Sequence, residues 1–132
     1  MMTENILALV NYRLEQADES LEAARTLLDK KLIRPSVNRA YYAMFYAVLA
    51  LLARGKQETS KHSGAIALFD KDFVKQGIFK KDFSRRLHDA FDLRQRSDYA
   101  AQYYVSRQEA ENTLTNAESF VGEVKKVLSK EM

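Results

Sequence analysis

Residues 36–53 read SVNRAYYAMFYAVLALLA, and this stretch decides the fold class of the chain. From Ala40 to Ala53 it contains fourteen residues without a charge, and four of the first seven are aromatic. The run is too short to cross a bilayer, which takes about 20 residues, and it is long for a buried strand. Because it is rich in alanine, leucine and methionine, which favour helix, it predicts a buried central helix.

Length and composition predict one all-α domain over residues 1–132. A chain of 132 residues buries roughly two thirds of its unfolded surface, so it needs no metal or disulfide to fold. One proline and four glycines predict few, long elements. The lack of cysteine excludes thiol chemistry and zinc sites with sulfur ligands. The N-terminal residues do not resemble a signal peptide, so we expect a cytoplasmic protein without a membrane partner.

Four further helices are predicted around the central one. The first is expected over about Glu4–Lys30, with Thr3 as its N-cap. The third helix of the chain is expected from a cap at Ser60 to about Lys75, and the fourth over about Lys80–Ala101. The last helix is expected to start at the capping box of Ser106 and Glu109. The first and last helices carry apolar stripes with the same 4-3-4-3-4 spacing, namely Val10, Leu14, Ala17, Leu21, Ala24, Leu28 and Ala110, Leu114, Ala117, Val121, Val124, Leu128. Such seams suit near-parallel or antiparallel packing, and we predict an up-and-down bundle of about five helices.

The net charge of +3 is unevenly distributed. Residues 1–30 contain six acids and three bases, a balance of −3, whereas residues 54–96 contain eleven bases and six acids, a balance of +5. The middle of the chain is therefore a candidate surface for phosphate-rich partners. A solvated, lysine-rich surface explains the same charges equally well.

An arginine interrupts the apolar stripe of the fourth predicted helix. The stripe of Phe83, Leu87 and Ala90 leads four residues on to Arg94, which must find acceptors or lie at the open end of the stripe. Asp98 is one turn further along, and Arg96 and Tyr99 complete the segment FDLRQRSDY. Two interpretations stay open. One is an internal ion pair that fixes helix packing; the other is a phosphate-facing site, where arginine binds bidentately and a phenol donates or stacks.

The start of the central helix offers a second polar set. Asn38, Tyr42 and Tyr46 follow one line along the helix, and Arg39 is the neighbour of Tyr42 on the adjacent line. Tyrosines at this spacing are more often core residues, so that alternative is retained.

The two histidines are separated in the sequence and predict no metal site. His62, in SKHSG, is explained by an ordinary helix start, and His88 is expected to be solvated beside Asp89. The two isolated histidines have no paired acids at metal-ligand spacing, and no motif for a cofactor is found.

Several of these segments together resemble the HEPN superfamily. They are NRAYYAMFYA at 38–47, KH at 61–62, FVKQG at 73–77 and LRQRSDY at 93–99, so the likeness covers nearly the whole chain. The resemblance is to the small stand-alone bacterial and archaeal HEPN proteins. It implies a helical bundle that usually forms a homodimer. It also implies metal-independent ribonuclease activity or binding of RNA or a nucleotide, and a minimal nucleotidyltransferase (MNT) as partner in a toxin–antitoxin pair.

The family's nuclease motif is an arginine followed, after four to six residues, by a histidine. Arg94 matches the arginine, and Tyr99 stands at the histidine position. The resemblance therefore assigns catalysis to Arg94 and Tyr99, and substrate binding to a groove containing Asn38, Arg39, Tyr42, Arg96 and Asp98. Because a phenol is a poor base at neutral pH, a second hypothesis stays open. It is a non-catalytic scaffold subunit that partners a nucleotidyltransferase, in which the ion pair of Arg94 and Asp98 is structural.

Overall fold

The computed structural model describes residues 3–59, 61–99 and 103–130, and all regular elements within these ranges are helical. The elements are α1 (Glu4–Asp29), α2 (Ile33–Arg54), α3 (His62–Phe69), a π-helical turn (Asp70–Val74), α4 (Lys81–Tyr99) and α5 (Arg107–Ser129). The predicted all-α fold with five helices is confirmed. The predicted cap at Ser60 and the predicted end of the fourth helix at Ala101 lie outside the described residues.

Helix α2 is the centre of the bundle, as its apolar run predicts. It contacts each of the other four helices, and most of its residues between Ala40 and Ala53 are buried. Aromatic rings from three neighbouring segments complete the core on the side of α3, because Phe69, Phe79 and Phe120 pack against one another. Across the described ranges, we find no helix with a stretch long and apolar enough to span a bilayer.

Helices α1 and α5 pack along the seams that their spacing predicts. All six predicted seam positions of α5 are buried, and so are five of the six on α1. Two ion pairs join the outer faces: Asp18 with Lys125 at 2.7 Å, and Arg25 with Glu118 at 2.8 Å. Because residue numbers rise along α1 as their partners' numbers fall along α5, the two helices are antiparallel.

The helix ends follow from local chemistry. The hydroxyl of Thr3 accepts from the backbone N–H of Ile6, and Ser106 forms a capping box with Glu109, so both predicted N-caps are confirmed. Pro35 lies in the first turn of α2, where its missing N–H costs no helical hydrogen bond. Gly77 has φ of +80° and reverses the chain after the π-helical turn, a conformation that residues with a Cβ avoid.

The segment after α3 differs from the prediction. A continuous helix was expected to about Lys75, but α3 ends at Phe69 and a π-helical turn follows. The first residue of that turn, Asp70, accepts a hydrogen bond from Ser84 at 2.7 Å and contacts Nε2 of His88 at 2.7 Å. The prediction that His88 is exposed to solvent is confirmed, and its ring also pairs with Asp70 across two elements, a contact that the sequence did not indicate.

Candidate functional site

The guanidinium of Arg94 lies between α2 and α4, at a site that we call the Arg94 groove. Its side chain is only 12% exposed, so the charge is largely removed from water. Nε is 3.0 Å from Oδ2 of Asp98 one turn further along α4, and Nη2 donates to the hydroxyl of Tyr42 at 3.3 Å. The contact with Asp98 is an ion pair rather than an aligned hydrogen bond, because the buried Nε–H is not directed at an acceptor. Among the described residues, Nη2 has an acceptor but Nη1 has none, so Arg94 keeps an unused donor group at Nη1.

Three tyrosine rings surround this guanidinium. The Cζ atom of Arg94 lies 5.8 Å from the ring centroid of Tyr41, 5.4 Å from that of Tyr42 and 5.7 Å from that of Tyr99. A cation near aromatic faces is attracted by the ring quadrupole, and the attraction is stronger where water is excluded. The rings therefore hold a charged group in a position that the apolar stripe of α4 would otherwise give to a leucine or alanine.

Asn38 connects the two helices at the polar end of the groove. Its Nδ2 donates to Oδ2 of Asp98 at 3.1 Å, so the same carboxylate oxygen contacts α2 and the guanidinium of Arg94. Five of the residues singled out in the sequence are thus brought together by the fold: Asn38, Tyr42, Arg94, Asp98 and Tyr99.

The other two arginines of the predicted site face elsewhere. Arg39 donates to the hydroxyl of Ser20 on α1 at 2.9 Å and contacts the groove only through the ring of Tyr42, at 5.0 Å. Arg96 lies with Tyr103 on a cavity of about 410 Å³ between α4 and α5. Side chains two residues apart on a helix point in nearly opposite directions, which is why Arg94 and Arg96 do not share a surface.

His62, at the start of α3, is a member of this site that the sequence analysis treated as an ordinary helix start. Its ring stacks on Phe45 with centroids 4.2 Å apart and meets the ring of Tyr42 edge-on at 5.5 Å. Its Nδ1 is 2.6 Å from the hydroxyl of Tyr41. The spacing of Tyr41 and Phe45 on one helix face indicates an aromatic surface, but no local pattern assigns His62 to it.

Burial keeps both members of the Tyr41 and His62 pair neutral. Burial raises the pKa of Tyr41, with a smaller opposing effect from the charge of Arg94. Burial and then the charge of Arg94 lower the pKa of His62. A fully buried phenol must donate its proton, and Nδ1 of His62 is the acceptor within reach, so hydrogen-bond satisfaction assigns the imidazole proton to Nε2. His62 is then a neutral donor beside Arg94 rather than a second cation.

The groove therefore combines features suited to a polyanion with aromatic groups. It holds one mostly buried guanidinium with unused donor capacity, one neutral imidazole, and a phenol ring that is 73% exposed at Tyr99. No group of three or more histidine, cysteine, aspartate or glutamate side chains is arranged to bind a metal ion within the ranges 3–59, 61–99 and 103–130. The described part of the chain is therefore a small helical bundle with an arginine-centred polar site between two of its helices.

Comparison with known proteins identifies the family. The sequence model of the HEPN domain matches residues 10–127. The chain is 34% identical over 128 residues to "Putative toxin MJ0605" of Methanocaldococcus jannaschii, covering 97% of this chain and 95% of the relative. It is 32% identical over 120 residues to a UPF0332 protein of Thermotoga maritima, covering 91% of each. It is 37% identical over 109 residues to UPF0332 protein glr0978 of Gloeobacter violaceus, covering 82% of this chain and 86% of the relative. The chain belongs to the HEPN family.

Proposed function

We propose that this chain is a toxin-type HEPN protein that binds RNA or a nucleotide in the groove at Arg94. The observation that carries the proposal is the state of that guanidinium, which is 12% exposed, is held by Tyr42 and Asp98, and has no acceptor for Nη1 among the described residues. Phosphate oxygens are strong acceptors for such a group. The toxin role is supported by the Methanocaldococcus jannaschii relative MJ0605, whose name describes it as a toxin.

The residues of the groove have distinct roles in this proposal. Arg94 binds the phosphate, and Asp98 holds its Nε side so that the Nη groups face the ligand. Asn38 and Tyr42 keep Asp98 and Arg94 in place from α2, whereas Arg39 and Arg96 face other surfaces and contribute only through the positive charge of the molecule. No described residue accepts from Nη1 of Arg94, which leaves that N–H for the ligand.

Cleavage of RNA is a further step within the same proposal. The RNA 2′-hydroxyl attacks the adjacent phosphorus, the bond to the 5′-oxygen breaks, and the products are a 2′,3′-cyclic phosphate and a 5′-hydroxyl. The 2′-hydroxyl loses its proton to solvent and the leaving 5′-oxygen takes one up, so no metal ion or added reactant is needed. Arg94 stabilises the charge that develops on the phosphate, and Tyr99 occupies the position of the family's histidine. We expect slow cleavage, because a phenol is a weak general base at neutral pH.

A homodimer and an MNT-type nucleotidyltransferase partner belong to this proposal as well. In a homodimer, two Arg94 grooves would face each other across the interface and present a longer positively charged cleft to one strand. The partner would control access to that cleft.

The decisive experiment measures binding and cleavage of total cellular RNA, with and without a neighbouring nucleotidyltransferase. We expect Arg94→Ala to abolish both binding and cleavage and Arg94→Lys to weaken both, since lysine keeps the positive charge but cannot form the bidentate hydrogen bonds of a guanidinium. Arg85→Ala is the matched control, because Arg85 is an exposed arginine of the same helix. Binding and cleavage in Arg94→Ala equal to those of Arg85→Ala would remove the proposal.

A second candidate is a non-catalytic scaffold subunit that partners a nucleotidyltransferase. It is favoured by one observation, namely that Asp98 contacts both Asn38 and Arg94 and so joins α2 to α4. If this network is only structural, Arg94→Ala lowers the melting temperature strongly while RNA and nucleotide binding stay unchanged. The first candidate predicts the reverse pattern, with loss of binding in a variant that still folds.

A further inference from the structure

Two tyrosines near the Arg94 groove are unusually exposed. Tyr104 is 80% exposed and Tyr99 is 73% exposed, the highest values among the large hydrophobic side chains of the described residues. Leaving a large ring in water forgoes the stabilisation that burial would provide. Exposed aromatic side chains at one place are a feature of binding surfaces.

The backbone holds these two tyrosines at the same end of the bundle. Arg34, near the start of α2, donates to the carbonyl of Ser97 at 3.1 Å and, through its other Nη, to the carbonyl of Tyr103. One guanidinium therefore ties the last turn of α4 to the segment that leads into α5. Tyr99 is two residues from one anchored carbonyl, and Tyr104 is next to the other.

Positive charge accompanies the rings at this end. Arg94 lies 5.7 Å from the ring centroid of Tyr99. On the opposite face of α4, Arg96 lies 5.9 Å from the ring centroid of Tyr103, the residue before Tyr104. Arginines interleaved with exposed aromatic rings are typical of proteins that bind single-stranded nucleic acid, in which cations contact the phosphates and bases stack on the rings.

We propose that Tyr99 and Tyr104 form a stacking platform for unpaired bases of an RNA strand whose phosphate lies at Arg94. This inference rests on the proposed function and restricts its substrate to single-stranded RNA. In a duplex the bases are already paired and stacked, so their faces are not available to the two rings. A phenylalanine at either position would serve as well as tyrosine, because stacking uses the ring face and not the hydroxyl.

A second copy of this chain is the competing occupant of the platform. In a two-fold symmetric contact the same patch meets itself. The homodimer of the proposed function leaves a cleft between its two Arg94 grooves, whereas direct packing of ring against ring would close that cleft and place the two Arg94 guanidiniums side by side. A polyanion instead neutralises these guanidiniums, so the charge distribution favours an RNA strand on the rings.

The test compares binding of one short RNA as a single strand and as the same strand annealed to its complement, by fluorescence anisotropy. We expect the single strand to bind more tightly. Tyr99→Ala and Tyr104→Ala should each raise the Kd for the single strand by roughly five- to a hundredfold, and Tyr99→Phe and Tyr104→Phe should leave it unchanged. Tyr12→Ala is the matched control, because Tyr12 is an exposed tyrosine on α1.

Several outcomes overturn the inference. Equal binding of single strand and duplex, or alanine variants with the Kd of Tyr12→Ala, would exclude the platform. Size-exclusion chromatography tests the competing occupant. Alanine variants that change the oligomeric state but not the RNA affinity would assign the rings to a contact between copies of the chain. If Arg94→Ala weakens binding and the tyrosine variants do not, only the platform fails. If the unmodified chain binds no RNA, the proposed function fails with it.

Discussion

The hydroxyl of Tyr41 lies 2.6 Å from Nδ1 of His62, a contact between residues twenty-one positions apart. It joins the start of the short helix α3 to the centre of α2. The pair is enclosed by the rings of Tyr42, Phe45 and Phe91. The position of α3 against the bundle therefore depends in part on one polar contact inside an aromatic cluster.

Stability should decrease in mild acid because of His62. The groups that face its ring are Tyr41 and Tyr42 from α2 and Arg94 from α4. Burial and Arg94 lower the pKa of His62 in the folded state, whereas in the unfolded chain the pKa is about 6.5. The unfolded state therefore binds the proton first, and this contribution to stability is complete above about pH 6.5 and lost as the pH falls toward the folded pKa.

The contribution of His62 to this pH dependence is measured by thermal melts between neutral and mildly acidic pH. His62→Gln should show a smaller drop in melting temperature on acidification than the unmodified chain, although it is less stable at neutral pH. His88→Gln, which removes the other histidine, should keep the His62-dependent part of the drop. A pH dependence that is identical with and without His62 would contradict the expectation.

Removal of the Tyr41 hydroxyl should destabilise the fold without altering packing. Tyr41 is fully buried, and Tyr41→Phe leaves Nδ1 of His62 without its partner. The expected cost is about 1–3 kcal/mol, the usual penalty for a buried polar group that loses its hydrogen bond. Urea denaturation measures it, and Tyr12→Phe, at an exposed position, should change the free energy of unfolding by less than about 0.5 kcal/mol.

The ion pair of Arg94 and Asp98 should contribute more to stability than a similar pair at the surface. Both it and the pair of Arg107 and Glu111 span four residues of a helix, but the side chains are 12% and 25% exposed in the first pair and 50% and 45% exposed in the second. Asp98→Ala leaves a mostly buried guanidinium without its counter-charge, so we expect a loss of about 1–3 kcal/mol. Glu111→Ala should cost about 0.5 kcal/mol.

Denaturant titrations at low and high salt separate the two cases. The small effect of Glu111→Ala should shrink with added salt, because exposed charges are screened. The effect of Asp98→Ala should persist, because the pair is partly shielded from solvent. Equal losses at the two sites would show that burial of Arg94 has no energetic consequence.

Two glycine substitutions should have opposite signs. Gly77 has φ of +80°, a region that strains residues with a Cβ, so Gly77→Ala should destabilise by about 1 kcal/mol. Gly122 lies exposed inside α5, and a Cβ there meets nothing within 4 Å. Gly122→Ala should therefore stabilise by about 0.5–1 kcal/mol through the better helix propensity of alanine. Differential scanning calorimetry of both variants measures the two shifts.

Much of the fold was predictable from local patterns. The uncharged run of α2, the matched seams of α1 and α5, and the capping box at Ser106 each depend on residues close together in the chain, and each is confirmed. The direction of α5 against α1 was not predictable, because both seams fit parallel or antiparallel packing. The break after Phe69 was also missed, since Asp70 makes its contacts to Ser84 and His88 on α4.

The site was predictable in the same limited way. Arg94 stands out in the sequence because it interrupts an apolar stripe, and Asp98 is its neighbour by helical spacing. The partners from α2 and α3 depend on how whole helices pack. Tertiary structure brought Asn38 to Asp98 and His62 to Tyr41, and it directed Arg39 and Arg96 to other surfaces.

The sequence by itself determined that the chain is a helical bundle around α2. Helix propensity and the burial of an apolar helix face depend on residues within a few turns, so the residue types and their spacing are enough to predict them. Only the tertiary structure decided which polar groups surround Arg94 and how His62 is held. These contacts join residues far apart in the chain, and the close packing of side chains selects them only after the helices have assembled.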